Sequence, residues 1–316
     1  MDKRFLEEHL SHCTLCPRKC GVNRLSGETG FCGASDTVRV ARAALHFWEE
    51  PCLSGEAGSG TVFFSFCTLK CVFCQNYEIS TCRRGVDISL ERLSEIFLEL
   101  QEQGALNINL VTPTHYIPQI VCAVRHARQH GLTLPIVYNS SGYETPESIR
   151  LLEGMVDIYL PDFKYVDDGL ARNYSHAPNY AQYALDSITA MVEQVGAAQF
   201  DAHGIMKKGV LVRHLLLPEQ IDDTKRVIQT IAQRFGDRVY LSLMNQYTPL
   251  AHVKRYPELD RTLDPLDYRD AVSYALSKGI RQGFVQEDET AKESFIPHFD
   301  GEGVVIQHEN KNGNEA

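Results

Sequence analysis

Ten cysteines stand in a chain of 316 residues, and seven of them fall in two tight groups. Cys67, Cys71 and Cys74 follow the spacing C-x3-C-x2-C, while Cys13, Cys16, Cys20 and Cys32 follow C-x2-C-x3-C-x11-C. Cys52, Cys82 and Cys122 stand alone. Thiols grouped like this, in a chain whose first dozen residues lack the apolar run of a secretory signal, are more often metal ligands or catalytic groups than disulfides. Three thiolates on one loop can hold three corners of a four-iron, four-sulfur cube and leave the fourth iron open, because thiolates are the usual ligands of such clusters. A structural zinc takes four protein ligands and would need a distant fourth here. Three buried cysteines packed as small apolar groups are the remaining reading. The group at 13–32 is complete by itself. Four thiolates close a tetrahedral zinc site or hold an additional iron–sulfur cluster, and the spacing does not decide between them.

Composition sets the class of protein in which these groups work. Apolar residues make up 43% and charged residues 23% of the chain, an ordinary globular mixture that excludes a fibrous or wholly disordered protein. No run approaches 18 consecutive apolar residues, so no membrane helix is predicted and a cytoplasmic enzyme is expected. The 31 Lys and Arg against 41 Asp and Glu leave a net charge of −10. That balance argues against nucleic acid as a partner, since sequence-blind binding needs phosphates neutralised by basic side chains.

The elements that must position the thiols can be read from periodicity. Residues 1–60 are rich in Gly, Cys and Ser without a long repeat, and an irregular, metal-binding N-terminal segment is expected there. Residues 61–300 alternate short apolar runs with helical repeats. Strands are predicted at 61–66, 106–111, 134–138, 156–160, 210–217 and 239–244. Between them Leu90, Leu93, Ile96, Phe97 and Leu100 keep helical spacing up to Gly104, and Ile120, Val121, Val124 and Ala127 do so up to Gly131. Thr145 reads as an N-cap with Pro146 in the first turn. Ile228 to Phe235 and the stretch opened by Asp264–Pro265 complete the helices. Six strand–helix repeats give an α/β fold with a parallel sheet. Six is fewer than the eight of a closed barrel, so the prediction is a partial (β/α)6 barrel with ligands at the C-terminal ends of its strands. Residues 301–316 form a tail, expected to be disordered after Gln307.

Cys67 follows directly on the first predicted strand, and the aromatic Phe73 precedes the last cysteine of its group. This arrangement resembles the signature of the radical S-adenosylmethionine superfamily. The longer string GSGTVFFSFCTLKCVFCQNYEIS is similar to one branch, the homologs of the pyruvate formate-lyase activating enzyme. The likeness covers most of residues 10–285. It includes CTLCPRKCGVNRLSGETGFCG near the start and VTPTHYIPQI, YNSSGYE, YLPDFKY, VRHLLLPE and LMNQYTP at successive strands. The resemblance implies that S-adenosyl-L-methionine chelates the open iron and that one electron cleaves it to methionine and a 5′-deoxyadenosyl radical. It implies hydrogen-atom abstraction, in activating enzymes from a glycine of a partner protein, and an electron donor such as flavodoxin or ferredoxin. Radical modification of a small molecule or another protein residue is the rival within the superfamily. A non-catalytic iron–sulfur electron carrier is the rival from another class.

Polar residues at the predicted strand ends are the candidates to hold the cofactor. Thr112 opens Thr112-Pro113-Thr114-His115, where the superfamily commonly has a glycine-rich motif against the cofactor's amino group; backbone carbonyls and hydroxyls can serve the same end. His115 is a candidate for substrate contact, weighed against a capping role. Asn139 and Ser140 close the third strand, where short polar side chains bind ribose hydroxyls or simply make the turn. Asp162 and Lys164 flank Phe163 and share one face, and the pair resembles the cofactor-contacting pair of the activating enzymes. Arg213 is a lone cation among apolar residues and needs a carboxylate partner, whereas His214 points the other way. Asn245 and Gln246 follow the sixth strand, placed to bond adenine or substrate. His115 and Arg213 are thus expected in catalysis. Phe73, Thr112, Asn139, Ser140, Asp162, Lys164 and Gln246 are expected at the cofactor, and the seven grouped cysteines on metal.

Overall fold

A computed structural model describes residues 2–286 and 297–305. Helix α1 (Lys3–Leu10) opens the chain, capped by Asp2, whose carboxylate accepts from Phe5 N. Residues 11–37 carry no regular element beyond a 3-10 turn at Arg24–Ser26. Strand β1 (Val38–His46) then pairs antiparallel with β2 (Ser59–Phe64), and the short helix α2 (Pro51–Ser54) lies between them. All six residues of β2 are buried, as a strand covered on both faces requires. The three-cysteine loop leaves β2 and runs through α3 (Tyr77–Ser80) to β3 (Val86–Ile88), which pairs antiparallel with β1.

From there strand and helix alternate. In order come α4 (Leu90–Glu102), β4 (Ile108–Val111), α5 (Ile117–Gln129), β5 (Ile136–Ser140), α6 (Pro146–Arg150) and β6 (Ile158–Pro161). They are followed by α7 (Asp168–Ser175), α8 (Tyr180–Val195), β7 (Gln199–Phe200), β8 (Met206–Leu215), α9 (Ile221–Arg234), β9 (Tyr240–Met244), α10 (Pro265–Ser277) and β10 (Gly283–Val285). The strands lie in the order β10-β9-β8-β6-β5-β4-β2-β1-β3, with β7 antiparallel on β8. Every neighbour pair from β2 to β10 is parallel. Among the described residues the two edges do not meet, so the fold is an open α/β partial barrel.

The helices form where the repeats predict them. Ser89 caps α4 by accepting from Arg92 N, and Leu93, Ile96, Phe97 and Leu100 bury one face. Each such side chain contributes about 1.5–3 kcal/mol on burial, far more than the marginal stability of an isolated helix of this length. Gly104, at φ +89°, turns the chain out. Thr145 caps α6 through Ser148 N, and Asp264 caps α10 through Leu266 N.

Each predicted strand has a counterpart, offset by a few residues, but four strands (β1, β3, β7 and β10) and five helices (α1, α2, α3, α7 and α8) are absent from the sequence reading. β1 falls in the segment read as irregular, because its arginines and alanines blur the alternation of period two. β3 and β10 are three residues each, too short for a period to show. α7 buries Ala171, Tyr174 and Ser175 rather than an aliphatic stripe, whereas α8 does bury one, Ile188, Met191, Val192 and Val195, that the sequence reading passes over. Of the expected tail, Gly301–Val305 packs on β1: Ala43 N donates to Glu302 O, Gly301 N donates to Ala41 O, and Val304 is fully buried. The β1 backbone supplies the free donors and acceptors that hold it. The stretch after Gln307 lies outside the described residues. Among those described, no helix is long and apolar enough to cross a membrane.

Candidate active site

The C-terminal ends of β2, β4, β5, β6, β8 and β9 converge on a cleft holding a cavity of about 340 Å³. Cys67, Cys71 and Cys74 line it together with Leu69 and Phe73. Their loop leaves β2 through Phe66, at φ +73°, and turns again at Lys70, at φ +55°; Thr112, at the end of β4, sits at φ +59°. Left-handed backbone in residues other than glycine costs of order 1–3 kcal/mol apiece and persists only where the surroundings enforce it. Those surroundings are backbone bonds from elsewhere in the fold. Phe66 N donates to Ile79 O, and Val72 N donates to Tyr174 O on α7.

Each of the three sulfurs accepts one hydrogen bond. Cys67 Sγ receives Leu69 N at 3.4 Å, Cys71 Sγ receives Ser175 Oγ at 3.0 Å, and Cys74 Sγ receives Ser80 Oγ at 3.4 Å. Because Ser175 gives its proton to sulfur, the Tyr165 hydroxyl 2.8 Å away is the donor in their mutual contact. Donors aimed at sulfur stabilise negative charge there. Burial works the other way, pushing the Cys71 thiol up to about 12 and the Cys74 thiol up to about 11. As bare thiols Cys71 and Cys74 would stay protonated at neutral pH, and the charge of a metal would be needed to draw them to thiolate. Among the described residues no three His, Cys, Asp or Glu side chains close round a single ion. Three thiols spread along one cavity wall, each with a donor at sulfur and open space in front, suit a cluster larger than one ion.

The strand ends supply a polar wall. Lys164 Nζ donates to Asp162 Oδ2 at 2.6 Å, and Arg213 Nε donates to Asp162 Oδ1 at 3.1 Å. Arg213 also donates through Nη2 to Asn139 Oδ1 at 2.5 Å and through Nη1 to Glu49 Oε2 at 3.4 Å. Glu49 Oε1 accepts from Asn109 Nδ2 at 3.0 Å and Asn139 Nδ2 at 3.4 Å. Two carboxylates and two cations thus cancel, all of them at most 15% exposed. Burial raises the Asp162 carboxyl, but Lys164 and Arg213 outweigh it and hold it below the ordinary range. Burial lowers the Lys164 ammonium, yet Asp162 and then Cys71 carry it above its usual value. Lys164 therefore feels both the polar wall and the thiol loop. Glu49 is pushed up by burial.

Phe73, Thr112, Asn139, Ser140, Asp162, Lys164, Arg213 and Gln246 all line the cleft, since alternate residues at a strand end face one side. The carboxylate partner that Arg213 needs is present twice, as Asp162 and Glu49. His115 does not join them. A 3-10 turn at Thr114–Tyr116 carries it out of the cleft, which departs from the catalytic role expected of it. Its Nε2 donates to Ser65 O at 2.8 Å, and the residue lines a second, small cavity with Cys13, Cys16, Cys20 and Cys32. His214 is buried against Phe163 O and Thr224 Oγ1. Asn245 N donates to Gln286 Oε1.

Four residues of the site are missing from the sequence reading. Glu49 comes from the loop after β1, and only an acidic pair following a strand could have signalled it. Ser80 and Ser175 reach the sulfurs from α3 and α7, and nothing local marks them. Glu144 is fully buried and accepts from Thr114 Oγ1 at 2.7 Å and Ser140 Oγ at 3.1 Å. Burial raises its carboxyl to about 7 against those two donors.

A family model described as the radical SAM superfamily matches residues 61–231, more than half the chain. The uncharacterized protein MJ0674 of Methanocaldococcus jannaschii is 29% identical over 275 residues, covering 84% of this chain and 74% of the relative. Among solved structures, SuiB of Streptococcus suis bound to S-adenosylmethionine gives a TM-score of 0.48 at 12% identity, over 71% of this chain and 49% of that one. Methylornithine synthase (PylB) gives 0.47 at 13% identity, over 99% and 82%. The chain spans about half the length of SuiB. The family match takes in both the three-cysteine loop and the strands from β2 to β8 that wall the cleft, and the chain belongs to the radical SAM superfamily.

Proposed function

We propose that Cys67, Cys71 and Cys74 hold a four-iron, four-sulfur cluster, that the strand-end residues hold S-adenosyl-L-methionine beside it, and that the enzyme takes a hydrogen atom from a partner protein. Superfamily membership implies an enzyme with that cluster and that cofactor. When bound, they supply one-electron cleavage of the sulfonium and a 5′-deoxyadenosyl radical.

The chain's own residues bind, orient and keep the site dry. One observation carries the reading: three thiols with donors at their sulfurs share a single cavity with the balanced set of Asp162, Lys164, Arg213 and Glu49. An amino-acid headgroup carries one charge of each sign, and this set presents a partner for each. Asn139 and Ser140 offer amide and hydroxyl groups for a ribose. Phe73, Val111, Leu215 and Met244 line the cavity and exclude water. A cavity of this volume takes one cofactor-sized ligand. A hydrogen donor would enter at the mouth, and the likeness of GSGTVFFSFCTLKCVFCQNYEIS to the activating enzymes favours a glycine of a partner protein over a small molecule. A one-electron donor of the flavodoxin or ferredoxin class and a second metal at residues 13–32 belong to the same reading.

The test is anaerobic reconstitution with iron and sulfide, then reduction in the presence of S-adenosylmethionine. 5′-Deoxyadenosine and methionine should form, and the cluster's electron paramagnetic resonance should change on adding the cofactor. Cys67→Ala, Cys71→Ala and Cys74→Ala should each abolish both. If all three single variants cleave at the parent rate, the ligand assignment fails. A cluster that reduces normally but yields no 5′-deoxyadenosine identifies an electron carrier instead.

A further inference from the structure

Behind the polar wall the charges no longer balance. Asp162 and Glu49 meet Lys164 and Arg213 at the cleft, but Glu50 adds a third carboxyl. We infer that Glu50 is the counter-charge for a cationic ligand in the cleft, and that it makes the enzyme select S-adenosylmethionine over its uncharged thioether relatives. The inference rests on the reading of the cleft as the site of that cofactor.

The course of the chain places Glu50. The loop after β1 carries Glu49 to the cleft and then turns into α2, where Leu53 N and Ser54 N donate to Glu50 O at 2.7 Å and 3.1 Å. Its backbone is thereby pinned, while its side chain caps nothing. Glu50 is 9% exposed and does not line the cleft. Its carboxyl lies in the field of Arg213 and within reach of the Ser242 hydroxyl, on the β9 residue paired in register with Arg213. The next residues, Cys52 and Leu53, pack into an apolar cluster with Val137, Ile158 and Leu211, so that side of Glu50 offers no cation.

Two buried oxygens around Glu49 have no partner among the described residues, Glu50 Oε2 and Asn109 Oδ1. The Asn109 amide donates to Glu49 Oε1 at 3.0 Å, which fixes the oxygen as the end left over. Both unmet atoms are acceptors. Buried polar groups are nearly always satisfied, and a buried charge without a partner is expensive. Arg213 is shared by Asp162, Glu49 and Glu50, and with Lys164 it offsets two of the three. The third carboxyl is held by a proton when the cleft is empty. Burial raises Glu50, Glu49 adds to the rise, and Arg213 and Ser242 oppose it. Glu49 is raised as well, but its oxygens receive three donors. Such bonds favour the charged form, so of the two the proton belongs on Glu50. Cys52 adds no charge, its thiol being pushed up to about 12 by burial and then by Glu50.

S-adenosylmethionine carries a sulfonium and an ammonium against one carboxylate, a net positive charge. S-adenosylhomocysteine lacks the sulfonium methyl and is neutral overall. A positive ligand favours ionised Glu50, whose field acts across several ångströms of dry protein without contact. Glu50 therefore releases its proton as the cation enters. One-electron cleavage turns the sulfonium into the neutral thioether of methionine, and Glu50 then no longer favours what the cleft holds.

The experiment titrates the full chain, reconstituted without oxygen and left unreduced, with S-adenosylmethionine and separately with S-adenosylhomocysteine, by calorimetry at about pH 5.5 and about pH 7.5. The ratio of the two affinities is the readout. In the unaltered protein it should rise about tenfold with pH in favour of S-adenosylmethionine. Glu50→Gln keeps the shape and removes the charge. Its ratio should stay flat, roughly tenfold below the parent at the higher pH, with S-adenosylhomocysteine affinity unchanged. A flat ratio in the parent, or equal ratios in parent and variant at the higher pH, overturns the inference. A slope that survives in Glu50→Gln belongs to Glu144, the other carboxyl raised into this range by burial, and overturns it too. His46, lowered to about 4 by burial and Arg42, stays neutral throughout. Should Glu50→Gln not fold, Glu144→Gln decides: a parent slope that vanishes there overturns the inference, and one that persists upholds it. If the unaltered protein binds neither ligand, the reading of the cleft fails instead.

Discussion

Replacing Asp162 with asparagine tests the polar wall directly. Asp162 accepts from Lys164 at 2.6 Å and from Arg213 at 3.1 Å; in Asp162→Asn one of those oxygens becomes an amide that faces a cation. The balance of Asp162 and Glu49 against Lys164 and Arg213 shifts to a net +1 in a site at most 15% exposed. An exposed ion pair would be worth less than about 1 kcal/mol, but removing one partner of a buried pair costs about 3–5 kcal/mol. Glu49 still offsets Arg213 at 3.4 Å, so the lower figure, about 3 kcal/mol, applies. In a chain of this size that lowers Tm by roughly 4–5 °C, readable by scanning calorimetry of the metal-free protein. Adding Lys164→Met removes the stranded ammonium, and the double variant should recover about 1 kcal/mol relative to additivity. Since the folded carboxyl lies below its ordinary value, this stability is present above that value and fades as pH falls through the folded one. Parent and variant therefore converge in acid. A Tm shift below roughly 2 °C with strict additivity in the cycle would refute the reasoning, because the four charges would then not act as one unit.

Two further outcomes follow. Glu144 sits near 7 in the folded chain against about 4.3 unfolded, so the folded state keeps a proton that the unfolded state has lost, and stability falls as pH rises between those values. Glu144→Gln removes that slope and should gain on the parent by up to about 3 kcal/mol from pH 4.5 to pH 7.5; a constant difference in urea unfolding across this range sinks the idea. Ser175→Ala removes the donor 3.0 Å from Cys71 Sγ. A hydrogen bond to charged sulfur is worth about 1.5 kcal/mol, so the reconstituted cluster's midpoint potential should fall by up to roughly 60 mV, and an unmoved potential removes Ser175 from the account.

What is legible in the sequence is what local spacing carries. Cys67, Cys71 and Cys74 follow a strand within eight residues, and Asp162 and Lys164 share a face by alternation alone. Arg213 is legible by its unsuitability, a charge among apolar neighbours that requires a carboxylate. The partners that complete the site come from elements whose burial is not aliphatic. Ser175 ends a helix packed through alanine and tyrosine, and Glu49 follows a strand whose alternation arginines obscure. His115 misleads for a different reason. It follows a strand end, but a 3-10 turn reverses the chain within three residues and sends the ring to the other cysteine group. Periodicity does not register a turn that tight.

Gly30 has a consequence for inheritance. Its bare Cα is what admits Cys20 Sγ, which a Cβ would meet at 2.6 Å. Turning the thiol aside would not relieve the clash, because Cys20 Cβ would itself lie 2.8 Å from the added carbon. Position 30 is therefore locked by the course of the Cys20 backbone, whether or not the thiol holds a metal. A relative with a bulky residue in place of Gly30 should be one that has rebuilt this turn, even where all four cysteines survive.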